Sequence, residues 1–128
     1  MVAKTPADLH KLFVETFNKA DLDSLVSLYE PNATLAPLGS EPVRGHAAIR
    51  DVLSGFLAGQ SQMKLEVERI LIADDVALLF SDWTLRGTGP DGTAVVRSGQ
   101  TSDVARRQPD GSWLLVIDNP YGSRSSID

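Results

Sequence analysis

Lys64-Leu65-Glu66-Val67-Glu68, continued by Ile70-Leu71-Ile72 and then, past Asp74-Asp75, by Val76-Ala77-Leu78-Leu79-Phe80-Ser81-Asp82-Trp83-Thr84-Leu85, is the stretch on which the fold class turns. Leu65 and Val67 alternate with charged neighbours, the period of a strand with one face in water. Ile70 and Ile72 fall on the opposite parity, which predicts a bulge between the two halves. The Asp74-Asp75 pair turns the chain, and Val76 to Leu85 is apolar on both faces, as a central strand is. Working outward toward the C-terminus, Gly87-Thr88-Gly89-Pro90-Asp91-Gly92 is a turn, Ala94 to Arg107 pairs next, Pro109-Asp110-Gly111 reverses the chain, and Trp113 to Asp118 makes a last strand. Toward the N-terminus the period lengthens. Gly45 to Leu57 carries a helical stripe of Ala48, Ile49, Val52, Leu53 and Phe56, ended by Gly59. Ala33 to Ala36 is a brief strand before a loop of Pro37, Gly39, Ser40 and Pro42. Thr5-Pro6-Ala7-Asp8 opens a first helix with Leu9, Leu12, Phe13 and Phe17 on one face, and Asp21 caps a second helix running to Tyr29, where Pro31-Asn32 stops it.

Helices followed by a meander of long strands predict one α+β domain over residues 1–128, three N-terminal helices packed on a curved, mainly antiparallel sheet. The sheet face opposite the helices keeps apolar residues, and a homodimer through that face is expected.

The composition narrows the classes of function. With 12 basic and 17 acidic residues the net charge is −5, and apart from Arg106-Arg107 the basic residues are scattered, so nucleic-acid binding lacks its electrostatic footprint. No apolar run reaches the roughly 18 residues of a membrane span, and Met1 to Pro6 shows no apolar stretch of a signal peptide, which gives a cytoplasmic expectation with no membrane partner. The absence of cysteine removes disulfides, thiolate metal sites and a cysteine nucleophile. His10 and His46 lack the spacing of a metal pair, so neither a metal nor another cofactor is expected. His10, beside the first helix's apolar stripe, reads as a solvated surface residue, and His46 as a helix-end residue.

Asn18-Lys19-Ala20-Asp21-Leu22-Asp23-Ser24-Leu25-Val26-Ser27-Leu28-Tyr29, followed by Asn32-Ala33-Thr34-Leu35, resembles the opening of the NTF2-like superfamily. Gly39-Ser40-Glu41-Pro42-Val43-Arg44-Gly45 running into Ala47-Ala48-Ile49-Arg50 is similar to the loop and third-helix start of its ketosteroid isomerase branch and SnoaL-like relatives. Arg106-Arg107-Gln108-Pro109-Asp110-Gly111-Ser112-Trp113 and Ile117-Asp118-Asn119-Pro120 resemble the closing hairpin of DUF4440-type members. The resemblance spans nearly the whole chain and implies a cone, a sheet wrapped around helices with a cavity open at one end. It hosts isomerases, cyclases, hydrolases, dehydratases and non-catalytic adaptors, so it does not fix an activity. Carried over residue by residue, the isomerase tyrosine falls on Phe13, and the segment Leu35-Ala36-Pro37-Leu38 holds no carboxylate for the aspartate base. Asp103, in Ser102-Asp103-Val104-Ala105, matches the acid that donates to the substrate oxygen.

The resemblance implies that Phe80, Asp82, Thr84, Asp103, Val116 and Asp118 face the cavity with Phe13, Phe17, Val52 and Phe56. A one-residue shift would instead turn Trp83 inward and Asp82 outward. Asp103 and Asp118 are the expected catalytic carboxyls, because an acid among apolar side chains is disfavoured in its charged form and can donate or accept a proton near neutrality. Asp103 could equally be a buried acid tied to Arg97, Arg107 or a backbone amide, and Asp118 an acid satisfying turn amides. Tyr29 packs at the second helix end, within reach of a ligand through its hydroxyl. The expected ligand is a small hydrophobic or aromatic molecule.

Overall fold

The computed structural model describes residues 2–124. Three helices, α1 (Pro6–Asn18), α2 (Leu22–Val26) and α3 (His46–Leu57), pack on a mixed sheet of β1 (Tyr29–Leu35), β2 (Val43–Arg44), β3 (Gln62–Ala73), β4 (Val76–Thr88), β5 (Ala94–Gln100), β6 (Asp103–Arg107) and β7 (Trp113–Asp118). The strands lie in the order β2-β1-β7-β6-β4-β3, with β5 also on β4; β1 and β7 run parallel and the other pairs antiparallel.

Local signals place the helix starts. Thr5 Oγ1 accepts the Asp8 amide hydrogen at 3.2 Å with Pro6 in the first turn, and Asp21 accepts from the Ser24 amide at 3.2 Å. The second helix is shorter than its sequence predicts. It ends at Val26 because the Leu28 carbonyl accepts the Leu115 amide at 2.8 Å, which commits Leu28 and Tyr29 to the sheet. β1 therefore begins at Tyr29. Pro31 is accommodated where the β1–β7 register shifts between Tyr29 and Thr34, so its missing N–H interrupts no regular ladder. The expected bulge in β3 lies between Val67 and Arg69.

The long segment after the Gly87 to Gly92 turn divides in two. β5 pairs with residues 82–88 of β4 and β6 with residues 76–79, and the corner between them is fixed by Thr101, whose amide donates to Ser81 O at 2.8 Å and whose hydroxyl accepts from Ser81 N at 3.0 Å. β4 is the spine of the sheet. Its odd-numbered residues Ala77, Leu79, Ser81, Trp83 and Leu85 are buried toward the helices, together with Leu9, Phe17, Ile49 and Leu115. No helix among the described residues is long and apolar enough to cross a membrane.

Candidate active site

A cavity opens between the helices and the concave side of the sheet. α1 contributes His10, Phe13 and Phe17 to its wall, α3 contributes Leu53 and Phe56, and Met63, Leu65, Trp83 and Leu85 come from β3 and β4. Asp103 at the start of β6, Asp118 at the end of β7, and Thr101 supply its polar atoms, and Pro120 covers it from the C-terminal side. About 50 Å³ is open to the centres of water-sized spheres, several times the roughly 10–15 Å³ that one water requires. The space holds a few waters as it stands and is about a third of the roughly 150 Å³ of a cavity that takes benzene, so an aromatic ring enters only as the lining side chains move apart.

The polar groups form a connected network. Asp103 Oδ2 lies 2.7 Å from His10 Nε2, and Oδ1 accepts the Asn119 amide hydrogen at 2.7 Å. His10 Nδ1 is 2.8 Å from Ser81 Oγ. When Nε2–H is given to the Asp103 carboxylate, a neutral ring leaves Nδ1 to accept the Ser81 hydroxyl hydrogen. The order Ser81–His10–Asp103 has the connectivity of a nucleophilic triad, but Ser81 is 0% exposed and does not border the cavity, so its hydroxyl cannot meet a substrate. Its work is to hold the ring. Both ring nitrogens are engaged, one by Ser81 and one by Asp103.

Asp118 is in a different setting. Tyr29 donates its hydroxyl hydrogen to Asp118 Oδ2 from behind the cavity wall, and the Phe13 ring meets Tyr29 edge-on at 6.3 Å. Burial holds the Asp118 carboxyl well above the usual carboxylate range, the negative charge of Asp103 pushes it further, and the Tyr29 hydrogen bond opposes both. The Tyr29 hydroxyl is itself pushed up, first by burial and then by the charge of Asp118. One carboxyl thus accepts hydrogen bonds from an imidazole and an amide, while its neighbour is held toward its neutral form.

The expected site residues separate by strand parity. Asp103 pairs with Leu79, so odd-numbered residues of β4 share its inward face and Trp83 lines the cavity. Phe80, Asp82 and Thr84 turn outward, and Asp82 accepts from the Gln100 side chain at 3.0 Å on the outer face. Val116 is also off the cavity: the register shift opposite Val104 and Ala105 sets both Leu115 and Asp118 inward and leaves Val116 at the irregularity. Phe13, Phe17 and Phe56 line the wall as expected, whereas Val52 borders an outer groove. Tyr29 stands behind Asp118 rather than at a helix end. Asp103 is tied to a backbone amide, as one reading allowed, but its side-chain partner is His10 and neither Arg97 nor Arg107.

His10 is the residue that the sequence reading misplaced. It is 2% exposed, and its position three residues before Phe13 and seven before Phe17 puts it on their helical face, a signal already present in the spacing. His46 does start α3, where Nε2 lies 2.8 Å from the Tyr29 carbonyl and ties the helix to β1. Among the described residues no group of three or more His, Asp or Glu side chains is placed to hold a metal ion.

Residues 11–115 match the model of the SnoaL-like domain. The chain belongs to the SnoaL-like family. Among solved structures, this SnoaL-like chain is similar to a ketosteroid isomerase-like protein from Erwinia carotovora atroseptica, with 18% identity, 88% of each chain covered and a TM-score of 0.78. It is also similar to a protein from Streptomyces avermitilis described as a candidate dehydratase of the NTF2-like family, with 19% identity, 88% of this chain and 90% of that one covered and a TM-score of 0.76. A third similar protein, from Thiobacillus denitrificans, is described as a candidate calcium/calmodulin-dependent protein kinase type II association domain; it has 19% identity, 97% and 99% coverage and a TM-score of 0.78. At these identities the likeness is one of fold, the NTF2-like cone that the sequence resemblance implied.

Proposed function

We propose that the cone binds a small apolar or aromatic molecule and that Asp103 and Asp118 transfer a proton on it, in an isomerase-, cyclase- or hydratase-like reaction. The observation that carries this reading is a pair of carboxyls on one apolar cavity in contrasting surroundings. Asp118, held toward its neutral form by burial, is the proton donor; Asp103, supported by His10 and the Asn119 amide, is the acceptor. Two groups of one chemical type whose environments push them apart can serve as acid and base at a single pH. The ketosteroid isomerase-like and candidate dehydratase neighbours support proton-transfer chemistry of this kind.

A second reading has its own support. Phe13 and the carboxylate-free segment Leu35 to Leu38 stand where isomerases of this superfamily keep a tyrosine and an aspartate, which favours binding without turnover. The neighbour described as a candidate association domain favours a chain that works by pairing. We propose that the pairing partner is a second copy seated on the outer sheet face, where Leu71, Val76 and Ile117 are 44%, 43% and 39% exposed.

Melting temperatures measured with a panel of aromatic, steroid and polyketide-like compounds test the pocket, since a ligand at a hundred times its dissociation constant adds about 2.7 kcal/mol. A stabilising compound is then assayed for turnover with wild type, Asp103→Asn and Asp118→Asn. Loss of turnover with binding retained in both variants supports the proton-transfer reading. Retained turnover in both rejects these residues, and binding without turnover in wild type leaves the second reading.

A further inference from the structure

Beside the inner cavity lies a larger groove, open to the centres of water-sized spheres over about 660 Å³. Phe56 and Leu85 border both spaces, so the Phe56 ring stands at their junction. The groove runs from Gly55 of α3 past the Gly87 to Pro90 turn to Arg97 of β5.

One feature of this groove points to a negatively charged ligand group, and a second leaves room for it. Arg97 is the single charged side chain on its wall, and its guanidinium lies over the Phe56 ring, 5.7 Å from the centroid. Arg50, Arg106 and Arg107 each pair with a carboxylate, whereas Arg97 is exposed and has no ion pair or hydrogen bond among the described residues. Stacking on the ring holds the cation at the junction while leaving its N–H donors free. The second feature is Gly55. Glycine is a poor helix former, yet a Cβ built there would meet nothing within 4 Å, so α3 leaves the wall open at this one position, between the Val52 and Phe56 side chains that also border the groove.

The inner end has the opposite polarity. The Asp103 carboxylate would repel an anion, so a charged ligand enters with its apolar end first. We infer that the site takes an amphipathic carboxylate, its apolar ring seated in the cavity and its anionic group lying in the groove against Arg97. This inference rests on the reading of the cavity as a ligand pocket and adds the chemical class of the ligand.

The test compares 4-phenylbutyrate with its primary amide, using Trp83 fluorescence and calorimetry to follow binding to the intact chain. Wild type is expected to bind the carboxylate about two- to fivefold more tightly than the amide, the range of a solvent-accessible ion pair. Raising the salt narrows the preference. Arg97→Gln removes it while leaving the amide's affinity unchanged, which also reports that the variant is folded. Gly55→Leu, filling the groove without touching the core, weakens both compounds. Equal affinities in wild type, a preference that survives in Arg97→Gln, or full affinity in Gly55→Leu would each overturn the inference while leaving the inner cavity as a pocket. If neither compound binds wild type, the pocket reading falls and takes this inference with it.

Discussion

Asp118 is the residue through which the site writes itself into stability. Because burial and the Asp103 charge raise its folded-state value, the folded chain keeps a proton that the unfolded chain releases in the ordinary carboxylate range. The resulting stabilisation is complete below that range and is lost as pH rises through the folded value. Wild type should therefore lose stability as pH rises above the ordinary carboxylate range, with a slope from this group of at most about 1.4 kcal/mol per pH unit. Asp118→Asn, neutral at every pH and still able to accept from Tyr29, should flatten that loss in urea denaturation at a series of pH values; an unchanged slope would remove Asp118 as its source. Tyr29→Phe has a different signature. It withdraws a hydrogen bond that favours the charged carboxylate, so the Asp118 value rises further in a carbon-detected NMR titration, and the chain loses about 1–3 kcal/mol through the buried group left without its partner. Both carboxyls were singled out in the sequence through the superfamily resemblance, which implied that Asp103 and Asp118 face the cavity, and both border it. Their partners were not, since Tyr29 reaches Asp118 from 89 positions away and His10 reaches Asp103 from 93, with Ser81 meeting His10 from 71, and no local pattern records such contacts.

Parity governs the next scale, the element. The alternation in β3 and the apolar β4 identify strands from sequence, and even the β3 bulge is readable, yet a strand apolar on both faces does not say which face is inner. Asp103 supplies the missing information once its pairing with Leu79 is known, for it sets Trp83 inward and Phe80 and Asp82 outward together. Trp83 is then fixed from the C-terminal side: its Nε1 donates to the Pro120 carbonyl at 2.7 Å, and Tyr121 meets its ring edge-on at 5.4 Å. Gly99 makes this approach possible. A Cβ there would sit 2.8 Å from the Pro120 carbonyl oxygen and 3.0 Å from the indole. Gly99→Ala should consequently push Pro120 and Trp83 apart, destabilise the chain by about 1–3 kcal/mol, and weaken any ligand of the inner cavity. Thermal denaturation and Trp fluorescence check this together, and a variant as stable as wild type with unshifted emission would mean that the segment 119–121 gives way without effect on the cavity.

At the scale of the whole molecule the sheet has two faces. Its concave face closes on the helices, while its outer face presents Leu71, Leu78, Phe80, Val104 and Ile117 as a continuous band across β3, β4, β6 and β7. Charge is divided along that face. Glu66, Glu68 and Asp82 crowd one another, and the proximity of Asp82 followed by the charge of Glu66 raises the Glu68 carboxyl above its usual range. Arg69 and Arg106 lie beside Phe80 and Val76 toward the other end. A second copy related by a twofold axis would bring each apolar band onto the other and set Arg69 toward the crowded acids, since Arg106 is already paired with Glu30, a self-complementary contact that would close as a dimer. Phe80, turned off the cavity by parity, would stand at the centre of the proposed contact. Light scattering should then give wild type twice the chain's 13.8 kDa, and Phe80→Glu a monomer that keeps its far-ultraviolet circular dichroism and its affinity for cavity ligands, because the substituted side chain faces away from the cone. A wild type that runs as a monomer at all concentrations, or a Phe80→Glu chain that remains a dimer, would place the partner on another surface.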